Sequence, residues 1–221
     1  NHSFYGHSGI SVFRSRAVET GEQPAHRIIV RRNRSFANYQ KVPSTAIGAS
    51  APTDGNGIIV DSTLDTGYPY RTLVQNNLVF DNGGTGIHAF RSAHVDILHN
   101  TSFLNSRNPA QDGGEILSIA SRDVVIANNV LHARPGRRLN ADWNNEGVVS
   151  AGNILFGSLA PELIGPSDVV AEPRLEAPST DPAAANFAPR SDSPAIDAAQ
   201  TRFAAPDDLL GHRPMGMRDV G

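Results

Sequence analysis

Short β-rich runs, broken by Gly, Asp and Asn, dominate the first 157 residues. Their apolar positions recur with a period of two rather than 3.6, which predicts strands and excludes a helical array. The stretch TDGNGIIVD, residues 53–61, is representative. Asp54, Gly55, Asn56 and Gly57 are turn residues, because glycine reaches positive φ freely and Asp and Asn bond the local backbone. Ile58, Ile59 and Val60 favour a strand. The stretch therefore reads as a turn feeding a short strand.

These runs repeat. IIVRRNRSFAN from Ile28, TLVQNNLVFDN from Thr72, VDILHNTSFLN from Val95, VVIANNVLHAR from Val124 and VVSAGNILFGS from Val148 align. One Asn holds the same column in each: Asn33, Asn77, Asn100, Asn129 and Asn153, at spacings of 44, 23, 29 and 24. Three positions later stand Phe36, Phe80, Phe103, His132 and Phe156. A second motif lies between the segments: GISVF from Gly9, GIIVD from Gly57, GIHAF from Gly86 and EILSI from Glu115. Without a Leu ladder, leucine-rich repeats are excluded. The pattern predicts an all-β fold, a right-handed parallel β-helix over residues 1–157, with successive coils about 4.8 Å apart. The Asn column is expected to form an inward hydrogen-bonded ladder, and the Phe column to stack along the interior. Asn1 falls within a coil, so missing upstream coils or another chain are expected to cover that end. Residues 158–221, rich in Pro, Ala and Asp, read as an irregular C-terminal segment that lies along or caps the last coil. Its SPAIDAA and DDLLGHRP stretches resemble the terminal segment of secreted bacterial β-helix proteins, which implies a secreted or periplasmic location.

Alternation on the second motif places candidate chemistry. With Ile58 and Val60 inward, Ile59 and Asp61 face solvent. The outward columns then run Ser11, Ile59, His88, Leu117 and Phe13, Asp61, Phe90, Ile119, with Arg14 and Arg91 just beyond. An acid, an imidazole, guanidinium groups and aromatic platforms on one face suit a sugar-binding groove; the plain alternative is a solvated sheet face. Asp54 and Asp112 share a turn column with Gly83, and Asp81 and Asn56 are near. Clustered oxygen ligands at a turn can hold calcium, although Asp-Gly also serves turns for its own sake. An insertion from Tyr39 to Thr53 carries Lys41, the one lysine of the chain, and is placed to wall the face.

Composition narrows the partners. A net charge of −3 and a pI near 6.2 give no reason to expect a nucleic-acid partner. No Cys is present, so disulfides and thiolate metal sites are excluded. No apolar run is long enough for a transmembrane helix, and NHSFYGHSG lacks the basic start and apolar stretch of a signal peptide.

TDGNGIIVD, NNLVFDNGGTGIHAF and VDILHNTSFLN together resemble the family 9 polysaccharide lyases, calcium-dependent pectate lyases built on a β-helix. The resemblance covers residues 28–106. It implies a secreted carbohydrate-active protein, with Asp54 lining the site. In that family the strand after DGNG reads Gly-Phe-Lys, and the Lys is the catalytic base; here Ile59 occupies the position and cannot take a proton. The family's acidic calcium cluster has no intact counterpart. The expectation is therefore a lyase on a uronate polysaccharide. His88 or Lys41 would be the base, Arg91 the charge neutraliser, and Asp61 a further catalytic or ligating acid. Phe90, Phe13, Arg14 and Asn56 would bind substrate, and Asp54, Asp112 and Asp81 would hold any calcium. An inverting glycoside hydrolase using two of the carboxylates, and a non-catalytic carbohydrate-binding or partial chain, are the alternatives.

Overall fold

A computed structural model describes residues 2–3, 7–18, 25–43, 48–213 and 216–221, with side chains described for these apart from residues 2, 3 and 162. Three parallel sheets run the length of the described chain. Sheet I contains β1 (His2–Ser3), β4 (Arg34–Phe36), β7 (Leu78–Phe80), β10 (Thr101–Phe103), β13 (Val130–His132), β16 (Ile154–Phe156) and β17 (Val169–Val170). Sheet II contains β2 (Ile10–Phe13), β5 (Ile58–Asp61), β8 (Ile87–Phe90), β11 (Ile116–Ile119) and β14 (Asn140–Trp143). Sheet III contains β3 (His26–Arg31), β6 (Arg71–Gln75), β9 (Ala93–Leu98), β12 (Arg122–Ala127) and β15 (Glu146–Ala151). The chain visits II, III and I in turn, and each strand pairs with its counterparts one coil before and after. This is a parallel β-helix. The core lies between the sheets: Ile58, Val60 and Ile87 from II, Val74, Val95 and Ile97 from III, and Val79, Leu131 and Leu155 from I.

Each corner has the same local design. One residue in the left-handed region breaks the strand, and the next residue turns a polar side chain inward. Between sheets III and I the left-handed residues include Arg32, Asn76, His99 and Asn128 (φ 52 to 56°). The ladder Asn33, Asn77, Asn100, Asn129 and Asn153 follows. Asn77 Nδ2 donates to Asn100 Oδ1 at 2.9 Å, and Asn100 Nδ2 to Asn129 Oδ1 at 3.0 Å. The expected Asn ladder is thus present. After sheet I, Ala37, Asp81 and Leu104 are left-handed, and Asn38, Asn82 and Asn105 form a second ladder ending on Glu115. After sheet II, Arg14, Ser62, Arg91 and Ala120 are left-handed, and Thr63, Ser92, Ser121 and Asn145 form a third. Burial makes an unpaired amide costly, so stacked side chains that bond one another and the backbone hold the corners.

The aromatic column departs from expectation. Phe36, Phe80, Phe103, His132 and Phe156 pair in register along sheet I. They point away from the core, because Ser35, Val79, Ser102, Leu131 and Leu155 take the inward positions. Phe80 (2% exposed) and Phe103 (4%) are buried nonetheless, since Phe187 of the C-terminal segment packs on them at 5.3 and 5.2 Å. That segment forms an antiparallel pair, β18 (Leu175–Ala177) with β19 (Asn186–Pro189), and then climbs back across the coils. The Asn128 amide exchanges hydrogen bonds with the Gln200 backbone, His99 Nε2 accepts from Ala205 N–H, and Asn76 donates to the Asp207 carbonyl. Arg31 and Arg32 close the climb on the Asp207 carboxylate. Asn1, where a covering chain was expected, lies outside the described residues. Among the described residues no helix is long and apolar enough to cross a membrane.

Candidate functional site

The outward face of sheet II gathers most of the expected residues. Its strands are short because a left-handed residue ends each of them: Arg14, Ser62, Arg91, Ala120 and Asn144. The register aligns Phe13, Asp61, Phe90, Ile119 and Trp143 in one column and Ser11, Ile59, His88, Leu117 and Ala141 in the next. The first of these columns is open: Phe13 is 60% exposed, Trp143 45%, and Asp61 and Phe90 are half-buried. It spans about 19 Å at the spacing of parallel strands.

The second column is buried at Ile59, Leu117 and Ala141, while Ser11 is exposed and His88 half-buried. Ile59 and Leu117 point outward but are only 5% exposed, against the expectation that Ile59 faces solvent. Residues 38–40 and 53–55, and the chain between β10 and β11, pack on the short turn at Gly83 and Gly84 that leads into β8. Gln40 (0% exposed) binds the Thr53 and Asp54 backbone N–H groups through its side-chain oxygen at 2.7 and 2.6 Å. Gln111 Nε2 donates to the Asp54 carbonyl, and Asn108 to the Gln40 carbonyl. Tyr39 lies on Gly83 with the Arg107 guanidinium 5.1 Å from its ring centre. Glycine is required at 83, where a Cβ would come within 2.8 Å of the Tyr39 ring.

His88 sits in this column. Its Nε2 is fully buried and has no hydrogen-bond partner among the described residues. Burial holds its pKa down to about 4, so the imidazole is neutral near pH 7. Its ring lies 5.6 Å from Phe90. Asp61, diagonal to it, accepts a 2.7 Å hydrogen bond from the Ser62 hydroxyl. Burial raises the Asp61 pKa above the ordinary carboxylate value; the Ser62 bond opposes this, and the charges of Asp54 and Asp65 add to it. Arg91 donates through Nε and Nη2 to one oxygen of Asp65, at 3.1 and 2.7 Å. The pair raises the Arg91 pKa and lowers that of Asp65. Arg14 follows Phe13 and lies 6.0 Å over its ring.

Other expected residues stand elsewhere. Asn56 is 1% exposed, and its side-chain oxygen accepts from Thr85 N–H at 3.0 Å; it holds the turn and is closed to a substrate. Lys41 is exposed in the loop, with no hydrogen bond or ion pair to a described residue, and nothing joins it to Asp61 or His88. The three acids expected at calcium are dispersed. Asp81 takes Arg107 and Arg134 at 2.8 and 2.7 Å, Asp112 takes Arg138, and Asp54 accepts from Ser8 and Thr53. Among the described residues no three His, Asp or Glu side chains converge as a metal site would require. These acids do not fit the calcium cluster that the resemblance implied.

Sequence reasoning missed Trp143, Asp65 and Arg138. NADW lacks the apolar start of the other sheet II strands, because Asn140 stands where they have Ile10, Ile58, Ile87 and Ile116. Only its register identifies it as a further strand, ending the open column on Trp143 with the Arg138 guanidinium 5.2 Å from its ring centre. A separate network lies on sheet III. Arg71 bridges Asp96 and Asp123 at 2.6 and 2.7 Å, and His26 and His94 each bond one of these acids. It reads as a cross-strand ion-pair ladder.

No known family model matches the chain, and no curated protein sequence matches it. Solved structures similar to it include the periplasmic alginate epimerase AlgG (15% identity, 73% of this chain and 34% of that chain, TM-score 0.46). The Azotobacter vinelandii mannuronan C-5 epimerase AlgE4 A-module is also similar (15% identity, 78% of this chain and 50% of that chain, TM-score 0.41). The chain thus spans about a third of the one and half of the other.

Proposed function

We propose that the chain is a carbohydrate-active β-helix protein that takes an acidic polysaccharide along the open column of sheet II. The reading goes further: it is a lyase cleaving a uronate polymer by β-elimination. One observation carries it. Two exposed aromatic platforms, Phe13 and Trp143, end a column that holds Asp61 next to Phe13, and Arg14, Arg91 and Arg138 lie along it. Aromatic faces suit the apolar faces of sugars, and guanidinium groups suit their carboxylates.

In this reading Asp61 is the base. Burial raises its pKa, which makes it a stronger base than an ordinary carboxylate. It takes the proton α to the uronate carboxylate. The electron pair left behind forms the new double bond as the C–O bond to the leaving sugar breaks, and the leaving oxygen takes a proton from solvent water. Arg91, oriented by Asp65, neutralises charge that develops on the carboxylate. His88 is a neutral neighbour that shapes the site, and Lys41 stands outside it.

The test is a screen of pectate, alginate, other uronate polymers and neutral glycans, with calcium and with chelator. Unsaturated-uronate absorbance and reducing ends are both read. Unsaturated product that Asp61→Asn abolishes is the expected result. Reducing ends without unsaturation would replace it with a hydrolase using Asp61 and a neighbouring acid. Binding without product would leave a carbohydrate-binding chain.

A further inference from the structure

Away from sheet II, the C-terminal segment does not close completely onto sheet I. A cavity of about 420 Å³ remains between them. Phe36, Leu78 and the contacting pair Phe80 and Phe187 line it, and so do Arg34 and Arg218. Volumes of about 300–1,000 Å³ with a mostly apolar lining and a few polar groups are those of small-molecule sites.

The charges of this cavity are unevenly used. Its acids are engaged. Asp207 holds Arg31 and Arg32 at 2.5 and 2.6 Å, Asp208 accepts from the His212 backbone at 2.8 Å, and Asp219 accepts from Asp197 N–H at 2.9 Å. Its arginines are not. Among the described residues the side chains of Arg34 and Arg218 have no ion pair, and Arg218 Nε is buried with no hydrogen bond at all. A buried guanidinium N–H without an acceptor is costly, and a carboxylate is the group whose two oxygens match that fork. His99, which also lines the cavity, is itself closed off by the Phe203 and Ala205 backbone and so does not supply the acceptor.

We propose that this cavity binds a small amphipathic carboxylate, an aryl or alkyl acid. Its apolar body lies against Phe36, Leu78 and one edge of the Phe80–Phe187 pair, and its carboxylate meets Arg218 and Arg34. The site is built jointly by the β-helix and its C-terminal segment. It does not depend on the reading of sheet II.

The probe is 3-phenylpropionate, titrated calorimetrically into the full chain. 3-Phenylpropanol, which lacks the charge, and galacturonate, which lacks the apolar body, are the comparison ligands. The expected result is saturable one-to-one binding of phenylpropionate, with the alcohol at least about ten-fold weaker, since charge-assisted bonds are the strong ones. Galacturonate should not compete. Arg218→Ala and Arg34→Ala should each weaken binding by about ten-fold with thermal unfolding unchanged. Should a variant fail to fold, amide chemical-shift mapping of the wild-type chain locates the ligand without it. Shifts at Phe187, Ala188 and Leu209 support the proposal, and shifts confined to other surfaces overturn it. Absent binding of phenylpropionate, equal binding of the alcohol or of galacturonate, or indifference to both arginine variants would also overturn it.

Discussion

Asp61 and Ser62 make the smallest unit whose chemistry can be tested. The Ser62 hydroxyl bonds the carboxylate and favours its charged form, while burial disfavours it. Removing the hydroxyl should therefore raise the Asp61 pKa further. Ser62→Gly does this and suits the left-handed backbone there (φ 56°). If Asp61 is the base, the acid limb of the kcat/KM profile moves to higher pH in this variant; an unmoved limb would remove Asp61 from the role. Glu115 offers a second test at this scale. It is buried, and it accepts from Asn105 N–H, Asn105 Nδ2 and the Ser102 hydroxyl. Burial nevertheless pushes its pKa from 4.5 to about 7. Between those values the folded chain keeps a proton that the unfolded chain has released. The contribution of Glu115 to stability therefore falls as pH rises through this window, by roughly 3 kcal/mol. His88 and His99, both held down to about 4 by burial, act in the other direction, losing stability as pH falls below 6.5. The difference in urea-unfolding free energy between the wild type and Glu115→Gln isolates the Glu115 contribution. It should decline from pH 4.5 to 7, and a pH-independent difference would contradict the assignment.

The ladders are directional at the scale of the structural element. In the first two, an Asn donates its side-chain N–H to the oxygen of the next, so the last donor needs a partner that can accept. Two carboxylates meet that need: Glu115 ends the second ladder, and Asp168 ends the first. Asp168 receives four donors, Asn153 N–H (2.8 Å) and Nδ2 (2.9 Å), the Ser150 hydroxyl (2.6 Å) and Gly165 N–H (2.7 Å). Asp168→Asn replaces one accepting oxygen with a donor and should cost about 1–3 kcal/mol in urea unfolding. The sheet III network around Arg71 contrasts with this. It is partly exposed, and each of its pairs is expected to contribute only about 0–1 kcal/mol. His26→Ala should therefore leave stability nearly unchanged, and a loss matching that of Asp168→Asn would mean the network does more than join strands. The first ladder was legible in the sequence because Asn recurs in one column of an obvious repeat. The third was not, since Thr63, Ser92, Ser121 and Asn145 share a role without sharing a residue type.

At the scale of the whole molecule, five coils place Phe13 and Trp143 at opposite ends of one open column. Phe13→Ala and Trp143→Ala should each weaken binding of long uronate oligomers by roughly 2–10-fold while sparing fragments too short to reach both, as measured by titration. Equal losses on short and long oligomers would argue against one continuous site. The sequence by itself determined the β-helix, its Asn ladder and the alternation that brings Asp61, Phe90 and Phe13 to one face, because a period of two and a repeated corner are local properties. It could not show that Ile59 and the His88 Nε2 would be buried, since burial depends on neighbours from other parts of the chain. It placed the Phe column inside, where only the count of residues after each left-handed corner sets the side. It could not separate Asp61 from Asp54, Asp81 and Asp112, because an acid in a turn has the same sequence signature whether an arginine occupies it or not. Packing decided these points: which carboxylates are already paired, which outward side chains are roofed, and where the C-terminal segment leaves a space, all of which depend on neighbours one or more coils away.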